Sequence, residues 1–200
     1  MAALTAMGPR TVAETRSIYG GSWRVDIAIR PGVDRLVPFQ ALARAIGRAL
    51  DAAGAPEPAS IGLILADDTE LAGLNAIHMG KDGPTDVLSF PLLPPESFPA
   101  QPGSPARTRR AARAGALFAL PPGRRPHLGD IVVSVERAIE QAEAGRGGQT
   151  GDVRWSAADE LRLLVTHGTL HICGWDHAEP ADEASMRALE RRLLAGHARG

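Results

Sequence analysis

Along this chain the apolar positions change period several times, and each change marks an element. From Trp23 to Ile29 apolar and polar residues alternate, with Val25, Ile27 and Ile29 on one side, which predicts a first strand ended by Pro31-Gly32. Between Val37 and Ala53 the period lengthens: Leu42, Ala45, Ile46, Ala49 and Leu50 recur at helical spacing, and Gly54 follows as a stop. Ser60 to Leu65 is a short continuous apolar run, as expected of a strand covered on both faces. Asp67-Asp68-Thr69 supplies capping residues for a helix through Leu71, Leu74 and Ile77.

Further on, Gly80 to Pro84 reads as a polar turn, Val87 to Phe90 as a brief strand and Asp130 to Ser134 as another. Val135 to Ala144 continues as a helix, and Gly145 to Gly151 is a glycine-rich connection. Ser156, with Asp159 three residues on, forms a weaker version of a capping box and opens a helix over 156–173, which Leu161, Leu164, Val165 and Leu170 can anchor in the core. Pro180 begins a last helix through Met186, Leu189, Leu193 and Leu194. About four strands interspersed with about five helices predict an α/β (α+β) single domain over 22–197, built on a small mixed sheet. Residues 1–21 are expected to be a flexible tail.

The helix over 156–173 ends in chemistry. His167 and His171 lie four residues apart, so they project side by side and can share one metal. Gly174 stands where a left-handed residue commonly ends a helix, which turns the chain back and brings His177 towards the same point. Three imidazole nitrogens leave one position of a tetrahedral zinc open for water, the arrangement of a catalytic rather than a structural site. One Zn2+ ion held by His167, His171 and His177 is therefore the expected cofactor. Asp176, between ligands, is a candidate to hydrogen-bond a ligand imidazole and fix its tautomer, or less readily to act as general base. Thr169 and Trp175 read as walls of the site.

The spacing H-x-x-x-H-x-x-G-x-x-H also invites comparison with zinc proteases, in which a glutamate follows the first histidine and serves as general base. Here that position is Gly168, which has no side chain. The ligand geometry is shared and the base is missing.

Taken as a block, His167-Gly168-Thr169-Leu170-His171-Ile172-Cys173-Gly174-Trp175-Asp176-His177 resembles the signature H-G-x-L-H-x-x-G-x-D-H of the YbeY-type endoribonucleases, the bacterial rRNA maturation factors. Leu74-Asn75, Pro84-Thr85-Asp86-Val87-Leu88-Ser89-Phe90-Pro91 and Leu128-Gly129-Asp130-Ile131 extend the likeness over roughly residues 22–197. What the resemblance implies is a zinc-dependent endoribonuclease that prefers single strands. Its expected role is 16S rRNA 3′-end maturation and ribosome quality control, with ribosomal RNA and the small ribosomal subunit as partners. One position departs from the pattern. Where the family has Tyr-Arg after its Leu-Asn block, this chain has His78-Met79, and methionine cannot replace a charged bidentate contact to phosphate. Lys81 is the nearest cation that could contact nucleic acid instead, and His78 reads as a fourth ligand, a proton carrier or an ordinary surface histidine. The departure supports a second reading, a ribosome-associated metal-binding protein with weak or no nuclease activity. A zinc peptidase is the third, weakened by Gly168.

Composition narrows the picture only locally. The formal net charge is −1, so RNA binding would need a local positive patch. Residues 94–127 hold Arg107, Arg109, Arg110, Arg113, Arg124 and Arg125 against the single acid Glu96, and with their prolines are expected to form a flexible basic insertion. Cys173 is the sole cysteine, which excludes an internal disulfide and reads as a small buried residue. No apolar run is long enough to span a membrane, residues 1–21 lack the apolar core of a secretory signal, and no glycine-rich phosphate loop is visible. The expectation is a cytoplasmic protein without a nucleotide cofactor.

Overall fold

The computed structural model describes residues 13–102, 125–145 and 155–195. In chain order these form β1 (Glu14–Gly20), β2 (Trp23–Ile29), α1 (Phe39–Ala53), β3 (Ala59–Ala66), α2 (Asp68–Met79), β4 (Val87–Pro91), β5 (His127–Ser134), α3 (Val135–Glu143), α4 (Ala157–Ile172) and α5 (Pro180–Ala195). One mixed sheet runs in the order β1-β2-β3-β5-β4. Strands β2, β3 and β5 are parallel, and the antiparallel β1 and β4 close the two edges. The α/β class and the helices hold, with one strand more than the alternation predicted.

The extra strand corrects the expected tail. Glu14–Gly20 pairs along its whole length with β2, from Glu14 opposite Ile29 to Gly20 opposite Trp23. A two-residue turn joins them, and Gly21 takes the positive φ of 56° that such hairpins need in their first turn residue. β1 carries charged and hydroxyl side chains because it is a solvated edge, and Ile18 is its apolar contact with the core. Residues 1–12 lie outside the described part.

Pleating sorts the sheet residues between two layers. Val25, Ile27, Ile29, Ile61, Leu63, Leu65, Ile131 and Val133 face the large core made with α1, α4 and α5. The opposite face has a small core of Ala66, Leu71, Leu88 and Val132 under α2. α2 and α4 are therefore separated by the sheet.

The expected insertion is corrected at its start. Pro95–Ser97 makes a 3-10 turn, Phe98 is buried in the large core, and Gln101 is buried at 8% exposure. Its arginines at 107, 109, 110, 113 and 124 lie outside the described residues. Arg125 hydrogen-bonds the Ser22 carbonyl beside the first hairpin.

Candidate metal centre

The helix that carries the histidines is fixed at three levels. At its start Ser156 and Asp159 form a full reciprocal capping box: Ser156 Oγ accepts from the Asp159 N–H at 3.2 Å, and Asp159 Oδ2 accepts from the Ser156 N–H at 3.2 Å. Along its length Leu161, Leu164, Val165 and Leu170 are buried. In its last third Gly168 lies directly on the sheet. A Cβ at that position would come within 2.7 Å of Ile131 Cγ2, 3.1 Å of Val87 Cγ2 and 3.2 Å of Ser89 Oγ. Ser89 Oγ donates to the Gly168 carbonyl at 3.0 Å. The absent side chain is what lets the helix approach this closely, and it fixes the height of His167 above the sheet.

The end of α4 turns as the sequence predicts. Gly174 has φ 77°, its N–H bonds to the His171 carbonyl at 3.0 Å, and the Trp175 N–H bonds to the Leu170 carbonyl at 3.0 Å. This pair of bonds around a left-handed glycine is a Schellman ending, and it reverses the chain. One nitrogen from each of His167, His171 and His177 then lies within 4.8 Å of the others. The ring of His177 stacks 5.5 Å from that of His167 and meets that of His171 edge-on at 5.0 Å.

Hydrogen bonds select the tautomers. His171 Nδ1 lies 2.9 Å from the Trp175 carbonyl and His167 Nδ1 lies 2.7 Å from Glu190 Oε1. A carbonyl and a carboxylate can only accept, so each Nδ1 carries a proton and each Nε2 is turned towards the other, 3.0 Å away. Burial, with His167 and His177 beside it, pushes the His171 pKa down to about 4, which leaves it a neutral electron-pair donor at pH 7. Two Nε2 atoms that face each other at this distance can share one cation. For comparison, two nitrogens on one tetrahedral zinc stand about 3.3 Å apart, given Zn–N bonds of ~2.05 Å. The donor set fits a metal ion.

A cavity of about 170 Å3 opens between this cluster and α5, lined by His167, His177, Glu183, Met186, Arg187 and Glu190. Glu190 is 3% exposed, and Arg187 forms an ion pair with Glu183. Sequence reading missed Glu190 and Arg187. Glu190 left a signal, because it falls four residues after Met186 and so puts an acid on the buried stripe of α5.

The other expected site residues are placed differently. The Asp176 carboxylate accepts from the His177 N–H at 2.7 Å and holds backbone. A residue adjacent to the ligand folds onto the main chain, whereas a carboxylate from a helix packed alongside reaches the ring. Thr169 is fully buried, bonding the Val165 carbonyl at 2.7 Å, and Trp175 belongs to the core. His78, Met79 and Lys81 stand at the end of α2, across the sheet from α4, with His78 edge-on to Phe90 at 5.0 Å. Any ligand shared with the histidines would have to run round the β4 edge.

Cys173 is 1% exposed, and burial pushes its thiol up to about 12. Since the thiolate is the nucleophile, native protein at pH 8 is expected to resist a maleimide and to react once denatured. Full labelling of the native chain would contradict this burial.

The chain matches known proteins along most of its length. A family model described as Endoribonuclease YbeY matches residues 35–198. The chain is similar to proteins named Endoribonuclease YbeY from Salinispora tropica, 42% identical over 86% of this chain and 94% of that one, and from Thermobifida fusca, 37% identical over 86% and 92%. A Roseiflexus relative of the same name is 34% identical over 85% of this chain and 90% of its own.

Proposed function

This chain belongs to the Endoribonuclease YbeY family, and on that premise we propose that it is a zinc-dependent endoribonuclease acting on single-stranded ribosomal RNA. Its setting would be the bacterial cytoplasm, at the 3′ end of 16S rRNA in the small ribosomal subunit. The observation that carries the reading is the meeting of His167, His171 and His177 beside a cavity that also holds a guanidinium. Among the described residues no helix is long and apolar enough to cross a membrane.

His167, His171 and His177 would hold the ion. Held there, zinc would supply Lewis-acid chemistry, activating water near neutral pH and polarising a phosphate oxygen. The protein's own groups do the rest. Glu190 keeps the proton of His167 on Nδ1 and so keeps Nε2 available. Arg187 offers a planar, permanently charged donor for phosphate in the same cavity, in place of the arginine that Met79 replaces. Glu183 holds that guanidinium until substrate competes for it. An opening this small accepts one flexible strand more readily than a duplex, whose phosphates are held in a rigid A-form array.

A second reading rests on Met79, which is 48% exposed and lies across the sheet from the histidines. It is a ribosome-associated metal-binding protein with weak or no nuclease activity. A zinc peptidase finds no support, because the position of its base is pressed against Ile131.

Cleavage of a single-stranded RNA bearing a ribosomal precursor sequence tests both readings. Zinc-loaded protein should cut it, a chelator should stop the reaction and added Zn2+ should restore it. Arg187→Ala should lower the rate roughly ten- to a hundredfold, as expected for loss of one charged hydrogen bond. Inert wild type with zinc bound, together with a Met79→Arg variant that cuts, would favour the second reading.

A further inference from the structure

The third histidine is held differently from the other two. His167 and His171 ride on a buried helix, but His177 is exposed on the irregular stretch between Gly174 and Pro180, and its own N–H bonds back to Asp176 Oδ1. Something outside that stretch must aim it. We propose that Gln101 is a positioning residue for His177, and hence for metal affinity.

A single side-chain amide occupies both main-chain groups of Asp176, the residue before the histidine. Gln101 Oε1 accepts from the Asp176 N–H at 3.0 Å, and Gln101 Nε2 donates to the Asp176 carbonyl at 3.2 Å. This two-point pairing copies what a neighbouring strand does in an antiparallel ladder, so it fixes the rotation of the backbone and not merely its distance. The second hydrogen of Nε2 goes to the Asp182 carbonyl at 2.9 Å, which ties the loop to the first turn of α5. All the ordinary hydrogen-bonding capacity of the amide except one lone pair is used on main chain.

The clamp is itself anchored. Phe98, three residues earlier, is buried in the large core, and Pro95 packs on Gly174, whose added Cβ would lie 3.2 Å from Pro95 Cβ. Because Gln101 is buried, its bonds are little exchanged with water, and losing them frees the main chain of the exposed Asp176. Freed of the clamp, the stretch carrying His177 samples many orientations, and each imidazole placement must then be selected by the ion.

The inference rests on the metal reading above, and the test separates the two. Zn2+ affinity is measured by competition with a chromogenic chelator, up to millimolar Zn2+, for wild type, Gln101→Leu, His177→Ala and the double variant, alongside the melting temperature of each metal-free protein. Gln101→Leu should weaken binding roughly ten- to a hundredfold, the range for residues that orient a ligand. In the His177→Ala background the same change should cost less than about threefold, because there is no third imidazole left to aim. Should the leucine variant not fold, Gln101→Glu, which keeps the acceptor for Asp176 and loses both donors, carries the same expectation. Unchanged affinity in Gln101→Leu, or an equal loss in both backgrounds, would overturn the assignment. Wild type that binds no Zn2+ would sink the metal reading and this inference with it.

Discussion

Replacing Gly168 by glutamate is expected to unfold the protein. The first atom of any side chain at 168 already lies 2.7 Å from Ile131 Cγ2 and 3.1 Å from Val87 Cγ2, on the contact between α4 and the sheet. Crowding of this kind typically costs about 1–3 kcal/mol, and an unpaired carboxylate forced into the contact adds roughly 3–5 kcal/mol. The sum is comparable to the whole stability of an ordinary domain, about 5–15 kcal/mol. Gly168→Ala separates the two effects. It keeps the steric conflict without the charge and regains about 1 kcal/mol of helix propensity, so a loss of no more than about 2 kcal/mol should remain. Urea unfolding measures both, and a glutamate variant within 1 kcal/mol of wild type would refute the packing argument. The same geometry explains why this ligand spacing is not used here for protease chemistry. The residue after the first histidine points into the protein.

His171→Ala should remove metal binding and RNA cleavage together while leaving the fold in place. His171 contributes one of three candidate nitrogens, and its Nδ1 bond to the Trp175 carbonyl also braces the turn. Binding free energies of about 10–16 kcal/mol for full zinc ligand sets imply that one ligand is worth ~3 kcal/mol or more, hence at least about a hundredfold in affinity. The metal-free fold should lose little. The variant strands one carbonyl, at a cost of about 1–3 kcal/mol, but it also relieves the crowding of two Nε2 atoms 3.0 Å apart. Inductively coupled plasma analysis of bound zinc, circular dichroism and the RNA assay together decide the matter. Undiminished cleavage by a folded variant would defeat the zinc hypothesis.

What could be read from the sequence was whatever is local in the chain. His167, His171, Gly174 and His177 fall within eleven residues, and helix periodicity with one glycine stop is enough to bring them together. The buried strands were legible for the same reason, since an apolar period needs no partner to be seen. β1 was not, because a solvated edge strand whose one core contact is Ile18 shows no apolar alternation. Its signal was the Gly21-Ser22 pair between Gly20 and Trp23, a two-residue hairpin signature. Glu190 and Gln101 were hidden by distance: Glu190 meets His167 across 23 residues, and Gln101 meets Asp176 across 75. The ligands, and the Trp175 carbonyl that orients His171, lie one after another in the chain, whereas Glu190 and Gln101 come from other elements and are visible only in the fold. Asp176 shows the limit of sequence neighbourhood: it is next to His177 in the chain, and its carboxylate accepts from the His177 N–H.

That division between local ligands and remote supports bears on linkage. An unfolded chain keeps His167, His171 and His177 within a short tether, so it retains part of its affinity for zinc. The ion stabilises the native state only by the ratio of the two affinities, and any binding to the denatured chain subtracts from it. Zinc should therefore raise the folding free energy by less than its native dissociation constant alone would suggest. The ion could also be captured before the sheet is complete, with Glu190 and Gln101 tightening a site that the nascent α4 has already begun.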